Sequence, residues 1–193
     1  MQTRVPASLS APPVHRAPSP TGPSQRSQAA ALRLVTMRIV IQRVTRGRVD
    51  VVDEQGRPDT GFAPQQIDQG LLLLVAVSDQ DGPDQVAYAA RKIVNMRIFE
   101  DEQGKMNRSV LDCRGQILSV SQFTLYGDIR RGNRPSFIGA GKPDHAKAVW
   151  EDFNQTLSSY GVKVSTGSFG THMRLDFIND GPVTILLDTD ELM

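Results

Sequence analysis

From residue 37 the chain reads MRIVIQRVTRGRVDVV, where Ile39, Ile41, Val44, Val49 and Val51 largely alternate with polar positions. That alternation predicts a half-buried strand or a bent pair of strands. Residues 53–64 carry Gly56, Pro58, Gly61 and Pro64, which interrupt any regular element. The run Gly70-LLLLVAVS that follows is continuously apolar, as a strand covered on both faces would be. Asp81-Gly82-Pro83 then offers a helix start, and Val86, Ala89, Ala90, Ile93 and Val94 fall on one helical face. Residues 96–106 predict a strand closing in a turn at Gly104, and Gln116-ILSVSQFTLYG a strong strand running to Gly127. A second helix is expected from Pro143, with the stripe Ala146, Val149, Trp150, Phe153, Leu157 and Tyr160, closed by Gly161. Two more strands, Met173-RLDFI and Val183-TILLD, flank a break at Asn179-Asp-Gly-Pro182, after a shorter one at Val162-KVSTG.

Two helices among seven or so strands, joined by hairpin-like breaks, predict an α+β fold with a largely antiparallel sheet or partial barrel. No internal repeat is apparent.

Composition divides the chain at residue 37. Residues 1–36 hold four Arg, no acid and six of the twelve prolines, with no sustained apolar period, so they are expected to be a disordered extension. Their Arg-rich, acid-free makeup also suits a transit peptide, and a translation start at Met37 is a further alternative. Residues 37–193 make one domain, with 18 basic and 21 acidic residues. The single cysteine, Cys113, excludes a disulfide scaffold and points to a reducing cytoplasm. The longest apolar run, seven residues at 71–77, is far short of the roughly 20 that cross a bilayer, so no membrane partner is expected.

Familiar chemical signatures are missing. No complete GxGxxG or P-loop occurs, His15, His145 and His172 form no H-E-x-x-H pair, and no GxSxG elbow supplies a serine nucleophile. No metal and no cofactor are implied. Two segments nevertheless resist a purely structural reading. Ser121, Gln122 and Thr124 interrupt an otherwise core-like strand, with alternation placing Ser121, Phe123 and Leu125 on one face and Gln122 and Thr124 on the other. The stretch 179–184, NDGPVT, sets a flexible residue against a rigid one just before a strand. Residues 128–142 form a long loop holding Arg130, Arg131, Arg134 and Lys142.

Together, SQFTL at 121–125, RGNRPSF at 131–137, NDGPVT at 179–184, IQRV at 41–44 and RIFEDEQGKMN at 98–107 resemble the D-aminoacyl-tRNA deacylase family. The similarity runs from residue 37 to about 188 and leaves the first 36 residues outside. It implies a homodimeric hydrolase that cleaves the ester joining a D-amino acid to the 3′ end of tRNA, and that also clears mischarged glycyl-tRNA. Within this sequence it implies a cis peptide at Gly181-Pro182, reaching into the partner subunit's site and rejecting L side chains by collision. Arg43 would brace that dipeptide. Backbone N–H groups near Phe123 and Thr124 would form the oxyanion hole, Ser121, Gln122 and Thr184 would attend the substrate, and Phe137 would stack on the terminal adenine. Thr124 has no base beside it in sequence, so assistance by the substrate's own 2′-hydroxyl is the favoured expectation. A non-catalytic RNA-binding module and a Thr-dependent esterase are the alternatives.

Overall fold

The computed structural model describes residues 36–189, so the extension expected over 1–36 lies outside the described residues except for Thr36. Thr36 is buried, and its hydroxyl donates to Asp188 Oδ1 at 2.8 Å.

In chain order the elements are β1 (Arg38–Val51), β2 (Gln65–Ile67), β3 (Gly70–Ala76), α1 (Pro83–Asn95), β4 (Phe99–Glu100), β5 (Met106–Arg108), β6 (Gln116–Ser121), α2 (Pro143–Ser159), β7 (Lys163–Thr166) and β8 (Met173–Asp188). β1 pairs antiparallel with β8 along one edge. Along its other edge it pairs with β3 and then β2, also antiparallel. β3–β6 and β6–β7 are parallel. The sheet is therefore mixed: its three pairings through β1 are antiparallel, as expected, and two parallel pairings are added to them. The cause is topological: α1 and α2 each carry the chain back across a face, so β6 and β7 re-enter in the direction of the preceding strand.

Period-2 alternation in β3 explains why the central strand is apolar throughout. Leu71, Leu73 and Val75 pack with the helices in one core, while Leu72 and Leu74 join a second core with Leu118 and Val120 of β6. Met173, Leu175 and Phe177 of β8 reach the same second core, so the strongly bent sheet nearly closes on itself. The buried helix residues match the expected stripes, with one correction: Tyr160, at the end of α2, is 40% exposed. It stands at the C-cap, where the chain turns away through Gly161 at φ +86°.

The break expected at 179–182 is not a strand end. β8 runs through it, but Thr184 pairs with Gln42 and Asn179 with Val44, so four residues of β8 face the single residue Arg43 of β1. The surplus backbone leaves the ladder as an elbow, and the Gly181–Pro182 bond at its tip is cis, as the resemblance implies.

Candidate active site

β6 stops being a strand where its neighbours stop. Its last ladder partner on β7 is Thr166, opposite Ser119, and on β3 it is Val75, opposite Ser121. Gln122 N–H makes a final bond to the Val75 carbonyl at 2.7 Å. With no strand on either side, the backbone satisfies itself locally: Leu125 N–H bonds Gln122 O at 3.2 Å, forming a 3₁₀ turn over Phe123–Tyr126. The expected two-faced strand through Leu125 is thus corrected. Phe123 and Thr124 are not on opposite faces of a sheet. They occupy the first positions of a turn, ahead of its first intrahelical acceptor bond, where N–H groups have no partner within the turn.

Tyr126 anchors this turn. Its ring is buried, its hydroxyl donates to the Thr36 carbonyl, and the Arg38 guanidinium lies 5.0 Å from the ring centroid. Burial, followed by the nearby Asp81 charge, pushes the phenol well above its ordinary pKa, so it remains a neutral donor.

The turn opens onto a cleft of about 510 Å³ lined by Ser121, Gln122 and Phe123 on one side. Val75–Val77 and Ala140–Gly141 form another wall, and residues 169–173 with Leu175 close it. Gly141 is required here because its backbone runs against Ser78. An added Cβ would lie 2.8 Å from the Ser78 carbonyl carbon. Its N–H bonds Val77 O at 2.8 Å, and Lys142 N–H bonds Asp79 Oδ1 at 2.7 Å, which pins the end of the long loop to the cleft rim. The loop's other end closes in a two-residue bridge between Asp128 and Ser136. Phe137 therefore meets Phe123 edge to face, with centroids 5.1 Å apart and planes at 73°, and both rings remain exposed at the mouth.

Among the loop cations, Arg130 is already engaged. It donates to both Asp128 oxygens at 2.9 and 2.6 Å, and that hydrogen bonding holds the Asp128 carboxyl far below its usual range. Arg131, Arg134 and Lys142 are exposed.

Thr124 is exposed, and its hydroxyl oxygen receives the Gln122 amide N–H at 2.6 Å. An amide donor draws no proton from that hydroxyl, so the contact does not activate it as a nucleophile.

The remaining expected residues lie elsewhere in the protomer. Gly181, Pro182 and Thr184 are exposed on β8, and none of them lines the cleft, nor does Arg43. Gln42, opposite Thr184, pairs with Leu72, while the cleft begins at Val75. The elbow is thus about 10 Å along the strands, and two strands across, from the cleft. Arg43 is buried beneath the elbow. Its Nε donates to Asp180 O at 3.2 Å and lies 3.1 Å from Asp180 Oδ2, and Nη1 donates to Ile98 O at 2.7 Å. Sequence reasoning missed the side chain that closes the elbow from within, Asn179, although it stands in the quoted NDGPVT. It also missed Phe169, Met173 and Leu175 of the cleft wall, for which no local signal exists.

The family model for D-Tyr-tRNA(Tyr) deacylase matches residues 40–188. A D-aminoacyl-tRNA deacylase of Bifidobacterium adolescentis is 59% identical over 157 residues, covering 81% of this chain and 99% of that protein. That of Bifidobacterium longum subsp. infantis is 57% identical, covering 81% and 97%. Among solved structures, the c-Myc DNA unwinding element binding protein is similar at TM-score 0.68 and 36% identity, covering 78% of this chain and 97% of that one. A probable eukaryotic D-amino acid tRNA deacylase shares the fold at TM-score 0.65 and 20% identity, covering 79% and 98%.

Proposed function

The chain belongs to the D-Tyr-tRNA(Tyr) deacylase family, hydrolases of the aminoacyl-tRNA ester bond, and we propose that it removes D-amino acids and glycine from tRNA as a homodimer. Each cleft takes the 3′-terminal aminoacyl-adenosine, and the Gly181-Pro182 elbow of the partner subunit closes over the amino acid.

One observation carries this reading: β6 ends at the cleft in a turn whose first two N–H groups, on Phe123 and Thr124, precede any acceptor within the turn. Such donors suit the oxyanion that forms when water adds to the ester carbonyl. The intermediate then collapses, the ester C–O bond breaks, and the ribose 3′-oxygen leaves with a proton. Because Thr124 receives a hydrogen bond from an amide, the terminal ribose's 2′-hydroxyl directs the water instead. The exposed Phe137 ring is available to stack on the terminal adenine, and Ser121 and Gln122 line the wall beside it.

The separation of elbow and cleft within one chain supports a site completed between subunits. Across that interface the elbow's carbonyls would face the substituents on the substrate Cα. A D side chain points away from them, an L side chain collides, and glycine, having none, is admitted.

Turnover of D-Tyr-tRNA tests the chemistry. A substrate ending in 2′-deoxyadenosine is expected to react about 10²-fold more slowly, the usual weight of a positioned proton-transfer group. Thr124→Ala and Thr184→Ala should keep rates within about threefold on the ordinary substrate, less than the weight of such a group. Normal cleavage of the deoxy substrate together with an inactive Thr124→Ala enzyme would make the side chain the nucleophile and end the substrate-assisted mechanism.

A further inference from the structure

The elbow is held from two sides, and only one of them is Arg43. From inside, the Asn179 side-chain amide spans the base of the loop. Its Oδ1 accepts Val183 N–H at 3.0 Å, and its Nδ2 donates to Val183 O at 3.0 Å and to Gln42 Oε1 at 3.0 Å. Val183 is where β8 is about to rejoin the ladder, since Thr184 is the next residue paired with β1. In an uninterrupted antiparallel ladder the N–H and C=O of one residue on the neighbouring strand would exchange these two bonds with Val183. Asn179 supplies a side-chain amide of the same donor and acceptor pattern, so it acts as a surrogate ladder partner across four residues. Only one orientation of the amide serves, because Val183 N–H needs an oxygen and Val183 O needs a donor. Gln42 holds the amide in that orientation from β1.

We infer that Asn179, oriented by Gln42, is a specificity-determining positioning residue that fixes the aim of the Gly181-Pro182 elbow without touching substrate. The inference rests on the elbow serving as the handedness gate. Two anchors define a loop's direction better than one. Arg43 grips Asp180 on the entering side, and Asn179 ties Val183 on the leaving side, with Gly181 and Pro182 between them. Without the second tie, the tip can pivot about Arg43. A gate that works by collision loses rejection when its colliding atoms move, even by about 1 Å. The loss falls on the L substrate, which the displaced carbonyls no longer exclude.

The test is the ratio of kcat/KM for D-Tyr-tRNA to that for L-Tyr-tRNA, measured on the full chain. Misfolding lowers both rates together and leaves their ratio unchanged, so the readout separates aim from stability. Asn179→Ala is expected to lower the ratio at least tenfold, through faster L-Tyr-tRNA hydrolysis. Asn179→Asp keeps the shape but sets an acceptor against Val183 O and Gln42 Oε1, and should lower it comparably. Gln42→Ala should give a smaller fall, and Gln42→Glu, which keeps an acceptor for Nδ2, a ratio near wild type. Pro182→Ala serves as the reference for the gate itself. If Pro182→Ala lowers the ratio while Asn179→Ala and Asn179→Asp stay within twofold of wild type, the positioning role is overturned and the gate stands. If Pro182→Ala also leaves the ratio unchanged, the gate falls and this inference falls with it.

Discussion

Asp81 shows how much a single buried carboxylate organises here. It is 2% exposed, and its two oxygens accept the backbone N–H groups of Met37 and Ser78, each at 2.7 Å. These bonds tie the entry of β1 to the end of β3 and the start of α1, next to the cleft wall at Val77. Removing the side chain leaves two buried donors unpaired, at about 1–3 kcal/mol each. Asp81→Ala is therefore expected to lose about 2–6 kcal/mol in urea unfolding, and Asp81→Asn, with one acceptor left, roughly half of that. A change below about 0.5 kcal/mol in the alanine variant would show the ties to be dispensable. Burial, the largest influence, raises the Asp81 carboxyl above its ordinary pKa against the pull of both N–H bonds. The native state thus binds this proton more readily than the unfolded chain, and the group's contribution to stability declines as pH rises through that interval. In sequence, Asp81 reads only as part of a helix start, because its two partners lie on backbone that folding brings to it.

Turns, by contrast, were written locally. The tetrapeptide Asp-Glu-Gln-Gly occurs at 53–56 and again at 101–104. Both copies build the same turn. Asp53 N–H bonds Arg57 O at 2.9 Å and Asp101 N–H bonds Lys105 O at 2.8 Å, while each carboxylate accepts N–H groups two and four residues on. Gly56 and Gly104 take φ of +77° and +72°, which explains the glycine at the fourth place. The carboxyls are held below their ordinary pKa, Asp53 chiefly by the Arg57 N–H and Asp101 chiefly by the Asn107 amide. A depressed carboxyl stabilises the fold fully above the unfolded value and ceases to do so as pH falls through the folded one. An NMR titration should place both midpoints below the roughly 3.9 of a free aspartate, and midpoints at or above it would contradict these turns. The β6 strand marks the limit of such local reading: its alternation continues to Leu125, yet the ladder ends at Ser121 because β3 and β7 run out beside it.

At the scale of the molecule, β8 pairs among the described residues with β1 alone, and its 16 residues carry two exposed apolar side chains, Leu186 at 77% and Ile178 at 48%. A strand edge left unpaired beside exposed apolar side chains invites association, which fits the proposed dimer. Leu186→Asp is expected to shift the protein to monomer in light scattering and to abolish D-Tyr-tRNA turnover, since each cleft would lose the partner's elbow. A monomer that retains full activity would refute the shared site. By itself the sequence determined the two helices, the strand segments, the glycine turns and the motifs that carry the family resemblance, because each depends on side chains within a few positions of one another. Tertiary structure alone decided that β6 and β7 run parallel, that the strand yields to a turn at Gln122, and that elbow and cleft stand apart in one chain. Those outcomes depend on which strand ends beside which, and a ladder's extent is set by neighbours far away along the chain.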